Sequence, residues 1–189
     1  MTYKNIFFSF LLLSFSLSSQ AQVYFTRAGK ISFYSNAPME NIEAHNVAAT
    51  SIFNAQTGQI EFAVLIKAFQ FEKALMQEHF NGNYLESSKF PKSTFKGEIV
   101  NLSDINFNID GIYNAVIKGI LSIHGVSQNI QAEGKFMIRN GQITATSRFN
   151  LAISDYNIKV PNVVRDNIAK VVRVSVDLAF EKMEKGYKK

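Results

Sequence analysis

Across the last two thirds of the chain, apolar and polar residues alternate with period two. One apolar face reads Phe95, Gly97, Ile99, and the next Tyr113, Ala115, Ile117, Gly119, Leu121, Ile123. Then come Ile130, Ala132, Gly134, Phe136, Ile138, and after them Ile143, Ala145, Ser147, Phe149, Leu151. Alternation of this kind predicts half-buried antiparallel strands. Earlier strands are expected over residues 23–34, 44–53 and 59–69, the last with Ile60, Phe62, Val64, Ile66 and Ala68 on one face. A final strand shows Val172, Val174, Val176, Leu178 and Phe180 on one face. Helical spacing interrupts the pattern between Phe71 and Phe80, where Phe71–Leu75, Leu75–His79 and Met76–Phe80 fall four apart and Gly82 is expected to close the helix. Residues 104–111 are less regular, and 161–170 reads as a short helical turn opened by Pro161. The fold class is all-β: an antiparallel barrel of about eight strands, enough to hold one small ligand, with one or two short helices.

The turns predict register. Asn140-Gly141 is the strongest short hairpin signal, because both central residues of a type I′ turn need φ > 0. Pairing outward sets Ile138 opposite Ile143, Phe136 opposite Ala145 and Gly134 opposite Ser147, with Glu133 and Arg148 as a favourable outer pair. A preceding turn centred on Val126-Ser127 would set Ile123 opposite Ile130 and Gly119 opposite Gly134. Gly119, Gly134 and Ser147 would then lie side by side. Small residues in mid-strand leave space for an apolar ligand, or else let a closing sheet bend. Both readings stay open from the pattern alone.

Composition narrows the class. Residues 6–17 form an apolar run after Lys4, with small residues at Ser19 and Ala21, which reads as a signal peptide over residues 1–21. The expected product is one exported domain over 22–189, with no membrane-spanning stretch. The absence of cysteine excludes disulfides and thiolate metal sites. The formal charge of +5 is mild, with lysines gathered at the C-terminal end and no clustered Arg-aromatic stretch, so nucleic acid is not an expected partner. His45, His79 and His124 show neither HxH nor HxxxH spacing, and no nucleophile elbow, P-loop or dinucleotide fingerprint is present. Asp155 reads as a strand-end carboxylate. Neither a catalytic residue, a metal site nor a cofactor is predicted.

Several segments carry a resemblance. Leu75-Met76-Gln77-Glu78-His79-Phe80-Asn81, Tyr84-Leu85-Glu86-Ser87, Phe90-Pro91-Lys92 and Phe95-Lys96-Gly97 resemble the centre of YceI-like proteins. Gly119-Ile120-Leu121-Ser122-Ile123-His124-Gly125-Val126 is similar to the family's strand and turn, and Asp155-Tyr156-Asn157-Ile158 with Pro161 to its closing segment. The chain departs from the family at Arg27-Ala28-Gly29-Lys30, where a histidine-serine pair is usual, and around Glu78-His79-Phe80. The resemblance implies a lipocalin-like barrel with an elongated apolar tunnel, in an exported, usually periplasmic protein that binds isoprenoid or other lipid-like molecules. On that reading Phe62, Val64, Phe95, Gly97, Ala115, Ile117, Gly119, Gly134, Phe136, Ala145, Ser147 and Phe149 line the tunnel, and Met76 and Phe80 sit near an opening. Gly119→Leu is then expected to keep the fold and block part of the tunnel. The alternative is a solidly packed barrel acting through its surface, as an envelope interaction or stress protein, in which the same change overpacks the core. A homodimer is compatible with either, and whether the 71–81 helix lines or plugs the opening is left open.

Overall fold

The computed structural model describes residues 22–184; the expected signal peptide lies outside them. The alternating segments form strands β1 (Val23–Asn36), β2 (Asn41–Asn54), β3 (Gln59–Leu65), β5 (Lys92–Ile99), β6 (Gly111–Ile123), β7 (Val126–Arg139), β8 (Gln142–Ala152) and β9 (Val171–Lys182). Each pairs antiparallel with the next, and β9 returns to β1 to close an eight-stranded barrel. A two-residue strand, β4 (Gln70–Phe71), pairs separately with β2. The predicted 59–69 strand therefore ends early. It breaks into a 3-10 turn at Ile66–Ala68, which carries the chain across to β4.

The Asn140-Gly141 turn sets the predicted register, Ile138↔Ile143, Phe136↔Ala145 and Gly134↔Ser147, with φ of 51° and 76° at its two central residues. The preceding turn is centred two residues earlier than expected, on His124-Gly125, where φ is 51° and 76°. Histidine is among the few non-glycine types that tolerate this region, and glycine follows it, so the pair makes the same class of two-residue turn. Ile123 consequently meets Val126, Gly119 meets Ile130, and Gly134 meets Ala115. The expected three-strand alignment of Gly119, Gly134 and Ser147 does not form. Small residues instead make two groups, Gly97 with Gly119 and Ala115 with Gly134 and Ser147.

Strands β1 and β2 slip register on either side of Gly29. A Cβ at Gly29 would meet Leu178 Cδ2 at 2.6 Å and the Ala49 carbonyl oxygen at 3.1 Å, so a side chain there would have to displace Leu178 and press on the β2 backbone. The irregular backbone beside it is satisfied by Asn46, which is fully buried. Its Nδ2 donates to the Leu65 carbonyl at 2.9 Å, and its Oδ1 accepts from the Ala48 amide at 2.8 Å.

The barrel has two unlike halves. The lower half, where β2, β7 and β9 end and β3, β6 and β8 begin, is packed with aromatic and aliphatic side chains. Phe53, 1% exposed, stacks on Tyr24 and meets Phe107, Phe136 and Phe180, with ring centroids 4.7 to 5.4 Å apart. The stretch expected only to be irregular, 104–111, delivers Ile105 and Phe107 into this floor. The upper half carries the long connections. After β4 comes one turn and a half of helix, α1 (Ala74–His79), continued by a wider π-helical turn at Phe80–Tyr84. Gly82 lies inside that turn and does not close the helix, since the Leu85 amide bonds back to the Phe80 carbonyl. Leu75, placed by its spacing on the apolar face, is 60% exposed because α1 lies at the barrel's end.

Candidate functional site

The upper half of the barrel is hollow, a cavity of about 380 Å³ whose walls are nearly all apolar. Its β-sheet wall includes Phe62 and Val64 (β3), Phe95 (β5), Ile117 (β6), Gly134 and Phe136 (β7), and Ala145, Ser147 and Phe149 (β8). Met76 and Phe80 line it from α1 and the turn that follows, so the inner side of this segment lines the opening. Phe80 lies among Phe33, Phe69 and Phe71 at centroid distances of 4.9 to 5.6 Å, forming an aromatic collar. All of these are lining positions expected from the sequence except Phe33, Phe69 and Phe71.

Three predicted lining residues are not in the wall: Gly97, Ala115 and Gly119. Ala115 is 1% exposed and belongs to the packed floor. Gly97 and Gly119 face each other across β5 and β6, and their side of the sheet is already filled. A Cβ at Gly119 would collide with the Lys96 carbonyl oxygen and would lie 2.5 Å from Gly97 Cα and 2.7 Å from Phe95 Cζ. A Cβ at Gly97 would collide with the Lys118 carbonyl oxygen, 2.6 Å from the same Phe95 ring atom. These glycines permit two backbones and one phenyl ring to approach closely; they do not open space. The expectation that Gly119→Leu keeps the fold is therefore corrected, because the colliding atoms are mostly backbone and cannot move aside.

Sequence reasoning also missed part of the wall. Ile31 and Phe33 of β1 and Val172, Val174 and Val176 of β9 line the cavity, as do Ile158, Val160, Val164 and Ile168 from the connection between β8 and β9. The strand residues had a signal, their period-two alternation, but carried no small residues to mark them. The connection has none, since its apolar residues follow neither period; its helical pieces are two short 3-10 segments, Ile153–Tyr156 and Asn162–Asn167.

Polar groups gather at the upper rim. Glu40 and Lys73 form an ion pair at 2.9 Å, and that bond from Lys73 holds the Glu40 carboxyl below the usual carboxylate range while raising Lys73. The Ala169 amide donates to Ser35 Oγ at 2.8 Å and the Met39 amide to the Asp166 carbonyl at 3.0 Å. These bonds tie the β1–β2 hairpin to the helix on one side and to the β8–β9 connection on the other. Tyr84, on the cavity wall, has its hydroxyl pKa raised by burial.

The histidines lie apart. His45 is on the barrel's outer face, accepting from Ser32 Oγ through Nδ1 at 2.8 Å and donating to Glu43 through Nε2 at 3.0 Å. Ser32 is buried in the middle of a paired strand, with no access for a substrate. His79 lies at the cavity rim. His124 donates from Nδ1 to the Tyr156 carbonyl at 3.1 Å and packs edge-on against Phe90, so it joins two of the upper connections. No group of three or more His, Asp or Glu able to hold a metal occurs among the described residues. Nor is any helix among them long and apolar enough to cross a membrane. Asp155 follows β8 in a short 3-10 turn, where its carbonyl accepts from Gln128 Nε2.

The same fold occurs in solved structures of low sequence identity. A polyisoprenoid-binding domain from Saccharophagus degradans, implicated in plant cell wall breakdown, is 11% identical with a TM-score of 0.74, covering 87% of this chain and 100% of that one. BcnA of Burkholderia cenocepacia is 15% identical with a TM-score of 0.66, covering 81% and 96%. A Campylobacter jejuni YceI protein is 13% identical with a TM-score of 0.53, covering 75% and 85%. No curated protein matches the chain. The model of the YceI-like domain matches residues 16–180, spanning strands, cavity and connections together, and the chain belongs to the YceI-like domain family.

Proposed function

We propose that this protein is an exported, non-catalytic carrier that sequesters a long apolar molecule, a polyisoprenoid, quinone tail or other lipid, in the upper half of its barrel. The observation that carries the reading is the contrast in packing: the floor is filled with phenylalanines, while the space above it is walled by apolar side chains and left open. Its volume falls in the range of small-molecule sites, and the ion pair and hydrogen bonds gathered at its upper rim suit a ligand with an apolar tail and a polar head. Each buried methylene contributes about 0.8 kcal/mol, so a tail of ten gives roughly 8 kcal/mol before the cost of lost freedom. The polyisoprenoid-binding description of the Saccharophagus domain supports the ligand class. The apolar run at residues 6–17 supports export to the periplasm. A solidly packed barrel describes the lower half alone.

Native mass spectrometry of the protein purified gently from cells that make it tests this. The expected result is an added mass of lipid or isoprenoid size that is lost on denaturation; the same spectrum reads the oligomeric state. An unliganded mass, with no uptake of offered isoprenoids or quinones, would refute the carrier reading.

A further inference from the structure

We propose that the cavity has a side entrance, a window in the barrel wall between β7 and β8, and that the apolar chain enters and leaves there. This rests on the carrier reading above. Strand β7 is paired to β6 along its length, down to Ile123↔Val126, and β8 is paired to β9 as far as Ala152↔Val171. Between β7 and β8 themselves the ladder runs from the Asn140-Gly141 turn and stops at Gly134↔Ser147. Glu133 and Arg148, expected from the turn to face each other, lie just beyond that last rung. The β7–β8 seam is thus zipped for only its lower part. The β2–β3 ladder is also short, Thr50↔Ala63 to Phe53↔Ile60, but beyond it Asn46 Nδ2 bonds to the Leu65 carbonyl and β4 pairs with β2.

Two side-chain bonds frame the opening. At the bottom, Ser147 Oγ donates to the Glu133 carbonyl at 2.6 Å, replacing the backbone partner that the parted ladder no longer supplies. At the top, Gln128 Nε2 donates to the Asp155 carbonyl at 2.9 Å, where the chain leaving β8 crosses back over β7. Ile130 and Ala132 stand on one jamb and Phe149 on the other, and all three belong to the cavity wall. Lys135 and Thr146, paired just below the window, also border the cavity, so it reaches the sheet at this seam.

The upper end of the barrel is built differently. There the ion pair of Lys73 with Glu40 and the bonds of Met39 to Asp166 and of Ala169 to Ser35 cross-tie the surrounding segments. A long chain entering through that end must thread its whole length past the aromatic collar. Through the window it passes sideways, between two strand edges that have no backbone bonds to break. The outward residues of those edges, Gln131, Glu133, Arg148 and Asn150, are polar or charged, which discourages another strand from pairing there.

The natural chain has no cysteine, so pairs can be introduced cleanly. Gln131→Cys with Asn150→Cys, both exposed positions facing across the window, are joined by a short bismaleimide; Lys118→Cys with Gln131→Cys, joined likewise, staples the fully paired β6–β7 seam as a control. Uptake of 1-pyrenedodecanol is followed by stopped-flow fluorescence. The window staple is expected to slow uptake and release about tenfold or more, while the control staple leaves both unchanged. Equal rates in both stapled proteins and in the unstapled parents would overturn the side entrance and leave the carrier reading standing. No uptake by any of the proteins would remove the carrier reading and the entrance with it.

Discussion

The two halves of this barrel are made from the same eight strands and the same alternation, yet one is solid and the other hollow. In the lower half, Phe53 meets four other aromatic rings, one of them Phe107 from the 100–110 loop, which also delivers Ile105 from below. In the upper half the corresponding inward positions carry valine, isoleucine and phenylalanine that pack with their neighbours around the wall but leave the middle open, and the segments above lie at the rim. Hollowness here comes from what fails to enter the barrel; Gly134, Ala145 and Ser147 stand in its wall, but Gly97 and Gly119 open no space. The solid half supplies the stability that lets the hollow half remain unfilled.

Five substitutions or conditions sharpen that contrast. Phe53→Ala should cost the most, about 3–5 kcal/mol by chemical denaturation, since it empties the centre of the floor. Gly119→Ala should cost about 1–3 kcal/mol, because its methyl group strikes the β5 backbone; a neutral result would mean that the close approach of Gly97 and Gly119 is relaxed in solution. Ser147→Ala should cost about 1 kcal/mol by leaving the Glu133 carbonyl without its partner, and amide exchange should rise at the neighbouring β7–β8 rungs. Val174→Phe, which projects into the cavity, should change stability by less than about 1 kcal/mol while abolishing uptake of 1-pyrenedodecanol; a large loss of stability would show that the upper half is packed after all.

The smallest effect concerns pH. Glu40 is held below its ordinary pKa by Lys73, so the pair's contribution is complete above the normal carboxylate range and fades as pH falls through the lowered value. Lys73 is raised, so its share persists up to the normal lysine range and is lost only as pH climbs through the raised value. Both side chains meet solvent, so the change should register as faster amide exchange in the β1–β2 hairpin tip at acid pH, weakened further by salt, with no measurable shift in global stability.

Much of the ring is legible in the sequence alone. Alternation locates seven of its strands closely, and Asn140-Gly141 sets three rungs of the β7–β8 ladder. What fails does so for definable reasons. His124-Gly125 makes the same turn as Asn140-Gly141 but lacks asparagine, and a turn placed two residues late shifts every predicted β6–β7 partner by four. Glycine in a sequence reports a missing side chain and not what occupies its volume; at Gly97 and Gly119 the occupant is the ring of Phe95. Ile158, Val160, Val164 and Ile168 follow no period, so only the path of the folded chain brings them to the cavity.

The closing seam joins the first strand to the last: Ile31 of β1 pairs with Val176 of β9. During synthesis β1 and β2 can pair as soon as both have emerged, but the ring stays an open sheet until β9 arrives. Until then the outer edges of β1 and β8 both offer unpaired backbone to other chains. A nascent or truncated molecule that ends before Val171 is thus a two-edged ribbon prone to self-association, and an exported form would depend on being held unfolded until its C-terminal strand is available.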